Sequence, residues 1–214
     1  MIVTFRTTDF LDTLKNIVGV AENKQNMPIL ANVYFKVGSG RLVMAASDLE
    51  VEVFSSEPFS STEEAETTLN ARKLFDIVKS LEEKEEITLR LEENKTTISA
   101  GKSKFVLTAM NPAEFPLMER EERGSDLQIE SHNLLSLFNE TSFSMAHQDA
   151  RHYLNGLFLN SKGKEITAVA TDGHRLAISE GAGTTGENNI NAIVPRKCIL
   201  EIKRILAGVK GSEE

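Results

Sequence analysis

Apolar residues along the first half of the chain follow strand spacing and helix spacing in turn. Residues 2–6 are rich in β-forming residues and predict a strand. Apolar residues then recur at helical spacing from Phe10 to Val18. They predict a helix that starts at residues 7–9 and stops near Gly19. The side-chain oxygens of residues 7–9 can cap the free backbone N–H groups at its start. The remainder of this half predicts, in order, strands at 29–37, 41–46, 51–53 and 67–69, a helix capped by Asn70, and strands at 87–91, 97–100 and 104–110.

The second half of the chain repeats this pattern at an offset of 124 residues. The matched positions are Phe10 with Leu134, Leu14 with Phe138, Asp48 with Asp172, and 71–73 with 195–197. In the first copy three predicted strands follow the second helix, whereas in the second copy none is predicted between that helix and residue 214. A sheet without its edge strands leaves backbone groups unpaired. We therefore interpret the chain as one complete repeat followed by a truncated one.

Charge and composition narrow the class of protein. The 214 residues include 32 acidic and 24 basic ones, a formal net charge of −8, and 40% are hydrophobic, enough for a sizeable core. The sequence has no apolar run of roughly 20 residues and no signal-peptide pattern, and its single Cys198 suits a reducing compartment. Acidic residues crowd the predicted loops, whereas basic residues gather on the second helix of each copy. This distribution suggests a positive face for phosphates, although charge alone favours ordinary solvated helix faces.

A catalytic function has one candidate in the sequence. Asp172, His174 and Arg175 lie within reach of one another and could form the general-base arrangement of a hydrolase or transferase. Asp48 holds the equivalent position in the first copy without a histidine after it, which favours a turn-forming role for Asp172. The other histidines lack metal-ligand spacing, and Cys198 lies on the apolar side of a helix. No catalytic residue, metal or cofactor is therefore predicted.

Six sequence motifs carry a family resemblance. They are MPIL at 27–30, ARK at 71–73, SFSMAHQD at 142–149, YLNG at 153–156, ATDGHRLA at 170–177 and VPRK at 194–197. Together they resemble the bacterial DNA polymerase III beta subunit family, the replicative sliding clamps, over essentially the whole chain. The resemblance implies an α+β fold of repeated clamp domains. In each domain two helices line a DNA channel and antiparallel sheets form the outer wall.

The resemblance also implies a domain division. Residues 1–120 correspond to a complete first clamp domain, 121–126 to a linker, and 127–214 to a second domain that lacks its closing strands. The family has three such domains per subunit, so the third is absent here. We expect the reading frame to continue beyond the codon for Glu214 through the remaining strands and a third repeat.

Three sets of binding residues follow from the resemblance. Those expected to contact DNA are Lys24, Arg72, Lys73, Gln148, Arg151, His152, Tyr153, Arg196, Lys197, Lys203 and Arg204. Those expected to line a pocket for partner peptides are Leu154, Thr171, Gly173, His174, Arg175 and Leu176. Those expected on the first-domain side of a subunit interface are Lys73, Lys104, Phe105 and Leu107.

The function implied is that of a DNA polymerase processivity factor. Such a clamp encircles duplex DNA without sequence specificity and tethers the polymerase during chromosomal replication. It is a non-catalytic accessory subunit of the DNA polymerase III holoenzyme, cytoplasmic in a bacterium and nucleoid-associated during replication. The expected partners are duplex DNA, the polymerase III catalytic subunit, the clamp loader, other clamp-binding peptides and, at full length, a second copy in a head-to-tail homodimer; no membrane is expected. A two-domain clamp that trimerises is disfavoured by the incomplete second copy and by the motifs.

Overall fold

A computed structural model of the chain describes residues 1–22, 26–59, 63–82, 85–118, 127–186 and 189–208. Inter-residue contacts divide the chain into two compact units, Met1–Glu119 and Arg120–Glu214. We refer to them as unit 1 and unit 2.

Unit 1 combines one antiparallel sheet with two helices. Its elements are β1 (Ile2–Arg6), α1 (Thr7–Ile17), β2 (Asn32–Gly38), β3 (Arg41–Ser47), β4 (Glu52–Pro58), β5 (Ala65–Asn70), α2 (Ala71–Lys79), β6 (Glu86–Glu92), β7 (Lys95–Ala100) and β8 (Ser103–Met110). The eight strands pair in the order β1-β6-β7-β8-β5-β2-β3-β4. The two helices pack against each other and bury their apolar faces, which include Leu14 of α1 and Leu74 of α2.

Unit 2 has a smaller sheet and a second pair of helices. Its elements are β9 (Leu127–Gln128), α3 (Ser131–Thr141), β10 (Gly156–Lys162), β11 (Glu165–Thr171), β12 (Leu176–Ala182), β13 (Thr184–Thr185), β14 (Ile190–Pro195) and α4 (Arg196–Gly208). Four strands pair in the order β12-β11-β10-β14, and β9 pairs with β13. Phe138 of α3 and Ile199 of α4 pack with Leu157 and Ile166 of the sheet to form the core.

Element boundaries confirm the internal repeat. The offset of 124 residues relates α1 to α3, β2 to β10, β3 to β11 and β4 to β12 at both ends of each element. It becomes 125 at the last strand of the shared sheet, which is β5 in unit 1 and β14 in unit 2. The strand order β5-β2-β3-β4 is the same as β14-β10-β11-β12. The predicted α+β class is also confirmed.

Two local predictions are wrong. The first is that residues 7–9 cap α1, because Thr7 is already helical and the N-cap is Arg6, without a side-chain cap. The Thr7 hydroxyl instead donates a 2.6 Å hydrogen bond to the carbonyl of Glu85. The second is that a strand begins at residue 29. Residues Pro28–Ala31 form a 3₁₀ turn and β2 begins after it, since proline at the first position favours a helical turn.

Candidate nucleic-acid interface

Helix α2 carries two exposed basic side chains among the predicted DNA contacts. The Asn70 side chain accepts a 3.0 Å hydrogen bond from the backbone N–H of Lys73 and so caps the helix, as predicted. Arg72 and Lys73 follow in the first turn, and both are exposed. The Arg72 side chain is 82% exposed and lies 3.8 Å from the carboxylate of Asp76. Because such an exposed ion pair is weak, Arg72 can exchange this partner for a phosphate.

Helix α4 carries four of the predicted contacts, and Arg196, Lys203 and Arg204 among them bind other groups of unit 2. Arg196 donates to the carbonyl of Met145 at 3.4 Å, and Lys203 donates to the hydroxyl of Ser142 at 3.0 Å. Arg204 pairs with Glu201 at 2.8 Å. The fourth, Lys197, lies half-buried in the first turn. The basic residues of α4 are therefore less available to an external phosphate than those of α2.

The segment 148–153, which leads into the 3₁₀ turn His152–Asn155, is organised around one carboxylate. Asp149 accepts from the backbone N–H of Arg151 at 2.8 Å and from both Nε and Nη2 of its guanidinium, at 3.1 and 3.0 Å. The amide of Asn155 bridges the backbone of Asp149, accepting at 2.9 Å and donating at 2.8 Å. The hydrogen bonds from Arg151 lower the pKa of Asp149 to about 2. Gln148 sits in the left-handed region at φ 57°.

The same loop places three predicted DNA contacts at the surface of unit 2. Gln148, His152 and Tyr153 are all exposed, and the Tyr153 side chain is 60% exposed. The predicted contact Lys24 lies outside the described residues. Asp149 and Asn155, which fix the loop, were not among the predicted site residues. The spacing of an aspartate two residues before an arginine is the sequence signal that could have indicated Asp149.

The turn at 171–176, where β11 leads into β12, contains five of the six predicted pocket residues. Asp172 Oδ1 accepts from the backbone N–H groups of His174 and Arg175 at 2.9 and 3.0 Å, and Oδ2 accepts from the Arg175 guanidinium at 3.0 Å. These hydrogen bonds lower the pKa of Asp172, and the one from the backbone N–H of His174 has the largest effect. The carboxylate therefore closes the turn, as predicted, and is a poor general base.

Unit 1 closes its equivalent turn with the same two backbone hydrogen bonds to an aspartate. Asp48 Oδ1 accepts from the backbone N–H groups of Glu50 and Val51 at 2.9 and 2.7 Å. The residue after the aspartate is left-handed in both copies, Leu49 at φ 77° and Gly173 at φ 88°. The two turns thus share both backbone hydrogen bonds to the aspartate, so the conformation does not depend on His174.

Side chains around the Asp172 turn differ widely in exposure. Leu176 is 59% exposed, whereas Leu154 is buried. The Arg175 guanidinium lies 5.7 Å from the centre of the Phe143 ring, within cation–π distance. Arg151 also reaches this turn, because a Cβ added at Gly173 would lie 3.1 Å from its Nη2. The loop at 148–153 and the turn at 171–176 are therefore neighbours in unit 2.

Strand β8 carries three residues of the predicted subunit interface. Lys104 is exposed and Phe105 is half-buried, but Leu107 is buried in unit 1. Residues 105 and 107 share the inward face of the strand, because successive side chains alternate. The fourth predicted residue, Lys73, is exposed on α2.

Two negative findings apply to the part of the chain that the structure describes. It contains no group of three or more His, Cys, Asp or Glu residues that could hold a metal ion. None of its helices is long and apolar enough to cross a membrane.

Cys198 is half-buried, and burial raises the pKa of its thiol.

Comparison with known proteins identifies the family. A family model of the DNA polymerase III beta subunit N-terminal domain matches residues 1–119, and one of its central domain matches residues 128–212. The chain belongs to the DNA polymerase III beta subunit family. The beta sliding clamps of Pseudomonas aeruginosa and Escherichia coli K12 are 39% and 34% identical to it over 97% and 96% of its length.

Solved structures of family members agree with this assignment. The beta subunit of Pseudomonas aeruginosa matches 97% of the chain with a TM-score of 0.89 and 37% identity. That of Caulobacter crescentus matches 98% with a TM-score of 0.86 and 29% identity. The chain spans 57% of the Pseudomonas protein and 56% of the Escherichia coli protein.

Proposed function

We propose that the chain is part of a ring-shaped sliding clamp, a processivity factor that encircles duplex DNA and tethers the replicative polymerase. The observation that carries this proposal is the repeat itself. Each copy packs a pair of helices against an antiparallel sheet and places two basic residues in the first turn of the second helix. These residues are Arg72 and Lys73 in unit 1 and Arg196 and Lys197 in unit 2.

Charge placement fits sequence-independent contact with DNA. The whole chain is acidic, with a net charge of −8, yet α2 contains three basic residues against one acidic residue, and α4 four against one. The basic helix of each unit attracts phosphates, and the acidic remainder of the protein repels DNA. Weak contacts with phosphates carry no sequence information and permit sliding.

Subunit contact is proposed at strand β8. β8 pairs with β5 only through Leu69–Ala109 and Thr68–Met110. Among the described residues, positions 103–108 therefore have a strand neighbour on one side alone. An edge of this kind can accept a strand from another subunit. Lys104 and Phe105 would contact the partner, while the buried Leu107 would anchor the strand from within; Lys73 is a further candidate contact.

Partner peptides are proposed to dock at the Asp172 turn. Leu176 would supply exposed apolar surface beside Arg175 and His174, with Leu154 beneath, and Thr171 and Gly173 would shape the turn. A sliding clamp of Pseudomonas aeruginosa has been solved bound to griselimycin, so a member of this family does hold a small ligand. We place the longer protein in the bacterial cytoplasm at the nucleoid, as a non-catalytic accessory of DNA polymerase III. Its partners there would be the polymerase, the clamp loader and a second copy in a head-to-tail homodimer.

The helix contacts can be tested by the salt dependence of duplex binding, measured by fluorescence anisotropy on the 214-residue chain. Each phosphate contact contributes about 0.9 to the slope of log K against log salt. We expect the double variant Arg72→Ala/Lys73→Ala to reduce the slope by about 2. The control is Lys95→Ala/Lys102→Ala, which removes two positive charges from strand β7 and the turn that follows it. Equal losses in both variants would mean that overall charge, and not α2, attracts DNA.

A further inference from the structure

A short 3₁₀ turn, Ser142–Ser144, follows helix α3 and presents one aromatic ring to solvent. We call it the Phe143 turn. Ser142 is 5% exposed and Ser144 is fully buried, whereas Phe143 between them is 57% exposed. Because both neighbours are packed into unit 2, the backbone of the turn fixes the position of the exposed ring.

The exposed ring contacts a residue of the Asp172 turn. The Arg175 guanidinium lies over the Phe143 ring, 5.7 Å from its centre. Nε of the same guanidinium donates a 3.0 Å hydrogen bond to Asp172 Oδ2, and neither Nη group has a hydrogen-bond partner among the described residues. An aromatic face and a carboxylate both orient a planar guanidinium. Phe143 and Asp172 therefore hold the two Nη donors of Arg175 in a defined direction at the surface.

Helix α4 ties the Phe143 turn to unit 2 from the other side. Lys203 Nζ donates to the Ser142 hydroxyl at 3.0 Å, and Arg196 Nη1 donates to the carbonyl of Met145 at 3.4 Å. The second distance is long for a hydrogen bond of this kind, whereas the first is ordinary. Since a hydrogen bond from an ionised donor is stronger than one between neutral groups, Lys203 is the main anchor of the turn.

Lys203 is placed poorly for a contact with DNA. It is half-buried, whereas the next residue of the helix, Arg204, is exposed. Its ammonium points to the buried Ser142, and its partner there is a hydroxyl and not a carboxylate. To reach a phosphate, Lys203 would have to give up this hydrogen bond and leave Ser142 without it.

We propose that Lys203 is a positioning residue of the peptide-docking surface and not a contact to DNA. Its ammonium holds Ser142, the turn that begins at Ser142 holds the Phe143 ring, and the ring orients the Arg175 guanidinium. The part of Arg175 in peptide docking rests on the proposed function. The order of contacts from Lys203 to Arg175 does not, so it can be tested without a partner.

The Arg175 Nε–H signal in nitrogen-resolved NMR spectra of the 214-residue chain tests the positioning. Phe143→Leu gives the reference position of this signal without the ring. We expect Lys203→Met to move the signal most of the way to that reference, and Lys203→Arg, which keeps a donor, to leave it near the wild-type position. Ser142→Ala should act like Lys203→Met without a change of charge. Lys162→Met removes an exposed lysine at the end of β10 and should leave the signal in place.

The salt dependence of duplex binding separates the two roles of Lys203. A phosphate contact contributes about 0.9 to the slope of log K against log salt. We expect Arg72→Ala to lower the slope by about this amount, and Lys203→Met to lower it no more than Lys162→Met does. If the chain bound no duplex, the proposed function would fail, while the Arg175 signal would still decide the positioning role.

Three results would overturn the proposal. One is an Arg175 signal at the same position in the wild type and in Phe143→Leu, because the ring would then have no influence on it. Another is a signal that stays in place in Ser142→Ala, a variant that loses a single oxygen and so remains informative if Lys203→Met unfolds unit 2. The third is a salt slope that falls by about 0.9 in Lys203→Met but not in Lys162→Met, because Lys203 would then bind a phosphate.

Discussion

Removal of the Phe115 side chain should destabilise unit 1 far more than removal of another phenylalanine in the same unit. Phe115 is 6% exposed and closes the cluster that contains Tyr34, Ala45 and Ile29. A fully enclosed Phe→Ala substitution costs about 3–5 kcal/mol. Because Phe115 covers the outer face of a sheet, water can partly fill the space, so we expect the lower end, about 3 kcal/mol. With a urea m value of about 2 kcal/mol/M, the unfolding midpoint of unit 1 should fall by about 1.5 M.

Tyrosine fluorescence can follow unit 1 alone. The chain has two tyrosines and no tryptophan, so a Tyr153→Phe background leaves Tyr34 as the single emitter. Phe54→Ala is the matched control: Phe54 is 47% exposed, and we expect its loss to cost about 1 kcal/mol. A midpoint shift below about 0.5 M for Phe115→Ala, or equal shifts for both variants, would refute the covering role of Phe115.

Three further predictions concern left-handed residues, a helix cap and a loop carboxylate. Leu49→Gly should stabilise unit 1 by about 0.5 kcal/mol, because Leu49 is left-handed at φ 77°. Gly173 is also left-handed, so Gly173→Ala should destabilise unit 2 by about 1 kcal/mol. Thermal unfolding followed with unit-specific probes measures both changes. Asn70→Ala should lower the free energy of unfolding by about 1 kcal/mol, because it removes the cap of α2. Asn70→Asp keeps a capping oxygen and should not lower it. Equal hydrogen-exchange protection of α2 in the two variants would contradict the capping role. The pKa of Asp149 should be about 2, against 3.8 for an ordinary aspartate, and rise towards that value in Arg151→Ala, as measured by carboxyl carbon chemical shifts. Because the pKa of Asp149 is lower in the folded state, its contact with Arg151 stabilises the fold fully above about pH 4. This stabilisation is lost as the pH falls through about 2.

The sequence was a reliable guide to the repeat, to its two equivalent turns and to the cap of α2. The repeat followed from the spacing of buried apolar residues, and the equivalence of Asp48 and Asp172 followed from their position after a strand. Both aspartates close the same turn with two backbone N–H groups. The Asn70 cap belongs to the same class, because it depends only on residues within one turn of the helix.

Contacts between distant residues could not be predicted in the same way. The Thr7 hydroxyl donates to the carbonyl of Glu85, 78 residues away, and does not cap the N-terminus of its own helix. Lys203 is expected on helical spacing to reach solvent, yet it donates to Ser142, 61 residues earlier. Leu107 belongs to the buried face of β8, which depends on the register of that strand with β7.

The central proposal is topological, and one measurement tests it most directly. The longer protein that we propose contains this chain should be placed by its clamp loader on a nicked circular duplex, washed at high salt, and then challenged by linearisation of the DNA. High salt weakens contacts with phosphates but cannot open a closed ring. We predict retention on the circle and loss within minutes once the DNA has ends. Equal dissociation from circular and linear DNA would contradict the sliding-clamp function.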